Sequence, residues 1–322
     1  MTSQPESAQT PPYDAMSWPV GAAMLQFPGV MPDGSRVTDA GPSAWRPALR
    51  EVALAGFEHV DLTDSWVRPG DLPPAGLRDL TAVAADQGLA FSAISVTRQS
   101  VIDPDPEVAA RNVEYALRTV DAAAELGVGT LCLGLHQPLT PAQKDAHWFW
   151  LVPGAEDPDD PAVRDLAVER FARIGEHAAQ AGVEVSLEMY EGTYLGTSQG
   201  AVDLVREIGL ANVGLCPDIA NIVRLHRPVE DWRTMLERVL PHTNYWQVKN
   251  YLRDHDPATG AYFSAPAPLE QGFIDYRTAI AMALDAGFRG PLCVEHYGGD
   301  GLSVAATNRE YLRRILRAKL ER

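Results

Sequence analysis

The chain has 322 residues, 46% of them hydrophobic and 22% charged, and its 43 acidic against 27 basic side chains leave a formal net charge of −16. That composition supports a large apolar core. It weighs against nucleic acid or another phosphate-rich polymer as a partner, because such binding rests on many Lys and Arg contacts. Cys132, Cys216 and Cys293 lie in apolar runs with no CxxC pair or Cys/His cluster, and read as buried thiols of a reducing compartment.

Residues 1–17 are polar and proline-rich and read as a mobile tail without the basic and apolar regions of a secretory leader. No later apolar run is long enough to span a bilayer, so a cytoplasmic setting without membrane attachment is expected. From residue 18 onward, apolar strand candidates fall at 20–27, 59–63, 90–96, 130–136, 184–190, 213–218, 245–250 and 291–296. The segments between them carry apolar residues at i, i+3, i+4 and i+7, the signature of helices with one buried face. Many stop at a glycine (Gly56, Gly88, Gly127, Gly182, Gly209, Gly287), the residue that tolerates a left-handed cap.

Strict strand–helix alternation over 18–322 predicts an α/β fold, a (β/α)8 TIM barrel forming a single domain. A doubly wound open sheet is the alternative, but FPGVMPDG follows the first strand where that fold would want a glycine-rich GxGxxG loop. The connections after strands 4 and 7 are too long to be simple links. In a barrel they would lie on the C-terminal face, where loops of that length usually serve function.

Three carboxylates close apolar strands: Glu188 in SLEMYEG, Asp218 in LCPDIAN and Glu295 in CVEHYGG. Gln247 takes the corresponding place in YWQVKNY. Strand side chains alternate between faces, so Ser186/Glu188, Cys216/Asp218, Tyr245/Gln247/Lys249 and Cys293/Glu295 each share one side. In a closed barrel these four oxygen donors meet at the mouth. Three ionised carboxylates cannot share a dry pocket unaided, and a divalent cation removes the conflict. Glu188, Asp218, Gln247 and Glu295 are therefore the candidate ligands, and all-oxygen donors suit Mn²⁺ first, with Mg²⁺ and Co²⁺ as alternatives.

These four motifs resemble the metal-site strands of the sugar isomerase/epimerase superfamily, the xylose isomerase-like TIM barrels, along essentially all of residues 18–322. The resemblance implies a Glu, Asp, His, Glu ligand set, which Glu188, Asp218 and Glu295 match while Gln247 stands where the family usually has His. It also implies that Glu188 and Glu295 move the substrate proton. Near the mouth, His136 is a second candidate base because its ordinary pKa near 6.5 suits proton transfer. Lys249 is placed to stabilise a developing oxyanion, or to act as a counter-ion to the acidic cluster. Arg98 and Arg253 follow strands 3 and 7 as candidate contacts for polar substrate groups.

The expected chemistry is proton abstraction next to a sugar carbonyl. The aromatic run His147-Trp148-Phe149-Trp150, the acidic chain and Gln247 are similar to features of the large subunit of bacterial C-glycoside deglycosidases. That likeness implies a lyase cleaving 3-oxo-C-glycosides by β-elimination, with an aryl C-glycoside substrate and a small β-subunit as partner. The alternative is a keto-sugar or inositol-type epimerase or isomerase, and the aromatic run reads otherwise as a hydrophobic latch covering the barrel or as a homo-oligomer contact. An endonuclease IV-like repair barrel fits poorly, since it needs a histidine-rich three-metal cluster and a basic groove.

Overall fold

A computed structural model of the chain describes residues 13–321. Its strands are β1 (Val20–Ala23), β2 (His59–Thr63), β3 (Ala90–Ser95), β4 (Thr130–Leu133), β5 (Glu184–Glu188), β6 (Val213–Cys216), β7 (Trp246–Val248), β8 (Asn250–His255), β9 (Tyr262–Ala267) and β10 (Leu292–Val294). Eight of them form one parallel sheet in the order β6-β5-β4-β3-β2-β1-β10-β7. The two ends of that sheet meet through a parallel bridge between Leu215 and Thr243, where the Asn244 amide donates to Leu215 O at 3.3 Å. The sheet is thus a nearly closed barrel, and β8 and β9 form a separate antiparallel hairpin.

Helices join successive barrel strands and cover them outside. Asp105, Asp160, Asp231, Asp275 and Asp300 each cap a helix by accepting backbone N–H bonds in its first turn. All six glycines expected as stops adopt positive φ, between 69° and 88°.

The alternation of faces along the strands divides the core in two. Leu187, Trp246, Val248 and Val294 join the large layer between sheet and helices. Ala23, Ala93, Cys132, Cys216, Tyr245 and Cys293 form a small cluster inside the barrel. All three cysteines are buried free thiols, as their apolar settings predict. The lumen is thus plugged below the mouth, and the strand-end groups stand on a packed floor.

Several strands end earlier than their apolar runs. Met24–Gln26 turn into a 3-10 helix, β4 stops at Leu133, β6 stops at Cys216, and β7 at Val248 gives way to the hairpin. The chain leaves the sheet where it must bring polar groups over the mouth. The long connections are also built rather than loose. The first carries a helix (Pro141–Asp145) with a Thr140/Gln143 capping box and a 3-10 turn at Phe149–Leu151, and the second is the β8–β9 hairpin.

Most of the expected tail, residues 1–12, lies outside the described residues. Tyr13–Ser17 make a turn in which Asp14 Oδ1 accepts from the Met16 and Ser17 amides. That turn is tied down, since Arg313 donates to Ala15 O and Trp18 O at 3.0 and 2.6 Å. Among the described residues, no helix is long and apolar enough to cross a membrane.

Candidate active site

Glu188 ends β5, Asp218 lies two residues past β6, Gln247 is central in β7, and Glu295 follows β10. All four are buried at the C-terminal end of the barrel, from 0% exposed for Asp218 to 8% for Glu188. Lys249, 2% exposed, stands among them with Nζ 2.5 Å from Asp218 Oδ2 and 2.5 Å from Glu295 Oε2. The sheet explains the second contact. Gln247 pairs with Cys293 in the parallel β7–β10 ladder, so Lys249 and Glu295, each two residues on, emerge side by side. The contact with Glu295 is a hydrogen bond, whereas the approach to Asp218 is an ion contact without hydrogen-bond alignment.

Asn221 was not anticipated as a site residue. Its Nδ2 donates to Glu188 Oε1 and to Met189 O, both at 3.0 Å, which fixes the Glu188 carboxylate against the turn after β6. The sequence signal was an asparagine three residues after Asp218 in DIAN.

Three carboxylates face a single ammonium, leaving two uncompensated negative charges in a dry mouth. Burial, followed by the charge of Asp218, pushes the Glu188 carboxyl up to about 8. Burial also raises Asp218 to about 6, although Lys249 works the other way. Burial opposes the charge on Lys249, but Asp218 and Glu295 hold its pKa well above the ordinary lysine value.

The donor set fits a hard divalent cation. Gln247 Oε1 and Asp218 Oδ1 are buried without hydrogen-bond partners, and two positive charges balance the mouth. Among the described residues, no three His, Cys, Asp or Glu side chains stand grouped as a ready metal cage. Lys249 stands between two of the carboxylates instead, so holding a cation requires that ammonium to give up at least one of them. A flexible four-carbon stem permits that movement.

This charge balance sets a pH dependence. Glu188 and Asp218 have folded pKa values raised above their ordinary 4.5 and 3.8, so the fold prefers their protonated forms. Without added divalent cation, the stability they contribute is lost as pH rises through about 6 and then about 8. Melting temperatures across that range should therefore fall with pH in EDTA and flatten in saturating Mn²⁺ or Mg²⁺. A flat profile in EDTA would contradict the charge imbalance.

His136 is buried beside the mouth, stacked on Tyr190 with ring centroids 4.8 Å apart. It curls back over Gly134, where any Cβ would fall 2.4 Å from Nδ1. The premise that its pKa stays near 6.5 is not met. Burial, then the charges of Arg98, Lys249 and Arg224, push it well below, which makes a neutral imidazole and a poor base at neutral pH. Nδ1 packs over Gly134 and has no hydrogen-bond partner.

Arg98 sits at φ 53°, an unusual backbone for a non-glycine residue, and donates to Gln137 O and Tyr190 Oη at 2.9 Å each. It lines a cavity of about 310 Å³ with His136, Trp150, Tyr190 and Glu191. Arg253 instead clasps the backbone carbonyls of Val223, Leu225 and Arg227 and serves the fold. The aromatic run turns inward. Trp148 stacks on Trp150 at 5.0 Å, Trp150 meets Tyr251 and Tyr297 edge-on, and Phe149 meets Tyr297. A pair between buried Arg224 and partly exposed Glu191, missed in the sequence, lies beneath it, with bonds of 2.8 and 2.9 Å and the guanidinium 4.8 Å from the Phe149 centroid. The run is a latch over the barrel. A larger cavity of about 630 Å³ lies at the opposite end, lined by His59, Ser92 and Glu184, away from the strand-end carboxylates.

The profile of the xylose isomerase-like TIM barrel family matches residues 49–315. A solved xylose isomerase-like TIM barrel protein from Mycobacterium smegmatis, in complex with magnesium, is 46% identical, with a TM-score of 0.92 over 96% of this chain and 99% of that one. An L-ribulose 3-epimerase is 17% identical, with a TM-score of 0.68 over 94% of this chain and 95% of its own. A 3-keto-D-glucoside 4-epimerase from E. coli is 14% identical, with a TM-score of 0.64 over 92% and 99%. At those identities the two epimerases share the fold. No curated protein matches the chain. The chain belongs to the xylose isomerase-like TIM barrel family.

Proposed function

We propose that the chain is a divalent-metal-dependent epimerase or isomerase of keto-sugars, moving a proton at a carbon next to a carbonyl. The observation that carries this reading is the excess of buried carboxylates, Asp218 and Glu295 against Lys249 with Glu188 under the influence of both, together with the buried, unpartnered Gln247 Oε1. Support also comes from relatives of the same fold that act as an L-ribulose 3-epimerase, a D-psicose 3-epimerase and a 3-keto-D-glucoside 4-epimerase. The 46% identical relative in complex with magnesium favours a hard cation, with Mg²⁺ now as strong a candidate as Mn²⁺.

Glu188, Asp218, Gln247 and Glu295 would hold the cation. Once bound, it supplies Lewis acidity that eases charge development on a sugar carbonyl oxygen. Glu188 and Glu295 stand three strands apart around the ring and face the mouth from different sides. One takes the proton from the carbon beside the carbonyl, and the bonding pair moves toward the carbonyl oxygen. The other returns a proton to the opposite face, which inverts that centre. Lys249, released from one of its carboxylates, would offer its ammonium to the developing oxyanion. His136 and Arg98, on the cavity wall, bind substrate hydroxyls.

The aromatic run was the feature that pointed to an aryl C-glycoside and its elimination. Trp148, Phe149 and Trp150 spend their faces on each other, Tyr251, Tyr297 and Arg224, which favours the epimerase reading.

The test is solvent exchange. Incubated in D₂O with Mg²⁺ or Mn²⁺ and a panel of ketopentoses, ketohexoses and 3-keto-glycosides, the chain should replace one C–H beside a carbonyl with deuterium and yield the epimer or isomer. Release of a phenolic aglycone from a 3-oxo-C-glycoside, with no exchange into any free sugar, would overturn the epimerase reading in favour of elimination.

A further inference from the structure

We propose that Ser95 and Asp61, buried across the barrel from Gln247, are positioning residues that decide which end of the Gln247 amide faces the mouth. The inference rests on the reading of the strand-end oxygens as a cation site. A histidine at this place would offer a ring nitrogen to the cation. A glutamine can offer either an oxygen, which binds a cation, or an NH₂, which repels it. Beside three carboxylates the NH₂ end would be drawn toward the mouth, making hydrogen bonds to the very groups that should hold the ion. Something must hold it back.

That something is visible in the lumen. Gln247 Nε2 donates to Ser95 Oγ at 2.9 Å, and Gln247 Oε1 is left buried without a partner. In the closed ring β3 lies four strands from β7 in either direction, so this bond crosses the full width of the barrel. Ser95 has one hydroxyl hydrogen, which it gives to Asp61 Oδ2 at 2.8 Å. With that hydrogen committed, Ser95 can only accept from Gln247, and the amide nitrogen must point inward.

Asp61 sets the direction of the whole relay. Its Oδ2 also accepts from Tyr245 Oη, and its Oδ1 accepts from Thr63 Oγ1 at 3.1 Å. Its side-chain hydrogen bonds all come from hydroxyls, and it is 0% exposed. A carboxylate buried so deeply among neutral donors is costly to the fold. A Ser or Asn there would satisfy packing at less cost, but would not force every neighbouring hydroxyl to point its hydrogen the same way. Ser95 bonds Gln247 directly and Asp61 bonds Ser95, so their effect on the cation runs through Gln247.

The experiment is a double-mutant cycle read by calorimetric titration of the EDTA-stripped chain with Mg²⁺ and with Mn²⁺, alongside melting temperatures in EDTA. Ser95→Ala should lower cation affinity about tenfold, the scale seen when a residue orienting a metal ligand is removed. Gln247→Ala should lower it by a similar factor, and the double variant should be no weaker than Gln247→Ala, because both remove one interaction. Should Ser95→Ala fold poorly, Asp61→Asn reads the same relay. Its amide can donate to Ser95, freeing the serine hydrogen for Gln247 Oε1 and turning the NH₂ outward, so affinity should again fall about tenfold. Wild-type affinity in Ser95→Ala or Asp61→Asn while Gln247→Ala loses it would overturn the relay and leave the cation site standing. Additive losses in the double variant would also overturn it. A wild-type chain that takes up neither ion overturns the cation site, and the relay with it.

Discussion

Glu295→Gln should lower turnover by about 10³-fold or more while the protein still folds. The substitution keeps the size of the side chain and its place after β10, but removes a proton acceptor and one charge from the cation's donor set. Lys249 keeps Asp218, 2.5 Å from its ammonium, so the buried amine is not orphaned. The melting temperature in EDTA should therefore stay near wild type or rise, since a mouth with too many carboxylates has lost one. Glu188→Gln should behave in the same way, with the amide still able to receive the Asn221 bond through its carbonyl. Steady-state assays on the substrate found by solvent exchange, paired with melting curves, check both. Full activity in either variant would remove that residue from the chemistry.

Lys249→Met should have the largest effect on stability. The variant leaves Asp218 and Glu295 facing each other and Glu188 with no cation among them. Removing one partner of a buried ion pair typically costs about 3–5 kcal/mol, because the remaining charge has neither water nor a counter-ion. In EDTA near neutral pH the variant should melt well below wild type, and lowering the pH should recover part of the loss by protonating the carboxylates. Saturating Mn²⁺ or Mg²⁺ should raise its melting temperature by more than it raises that of wild type, since the ion no longer competes with an internal ammonium for the same oxygens. Cation affinity should rise and turnover should fall. A variant that melts like wild type in EDTA would mean that Lys249 is not the counter-ion of this cluster.

The architecture was largely legible in the sequence, because period-two strands and capped, one-faced helices are local features. Glycines such as Gly127, Gly182 and Gly209 mark helix ends for the same reason, and they do so at φ near 70°. The sharing of faces by Tyr245, Gln247 and Lys249, and by Cys293 and Glu295, followed from that period and is reflected in the split between lumen and outer core. The order of strands around the ring follows from the barrel reading, whereas the hairpin inserted after strand 7 and the register that sets its residues against the last strand were not legible. The β8–β9 hairpin separates β7 from β10 in the chain, yet the two pair directly, and only that pairing sets Lys249 against Glu295.

Other features depend on distance across the barrel. Asp61 in HVDLT looks like an ordinary strand residue until β2, β3 and β7 close into one lumen. The Arg224–Glu191 pair joins two loops 33 residues apart in the chain. His136 kept a plausible role as a base only while its surroundings were unknown, since burial and three nearby cations remove the pKa on which that role depended. Trp148 and Trp150 carry the same lesson. Aromatic residues in a long loop signal a contact, but not whether it is with a ligand, a partner or the loop's own barrel.

Crystals grown from protein stripped with EDTA and then soaked in Mn²⁺, with anomalous data collected at the manganese absorption edge, give the most direct measurement of the site. One strong peak is expected at the C-terminal mouth, bound by oxygens of Glu188, Asp218, Gln247 and Glu295, with the Lys249 ammonium drawn away from at least one of its carboxylates. A mouth without a peak, with Lys249 still bridging Asp218 and Glu295 at saturating Mn²⁺, would contradict the account.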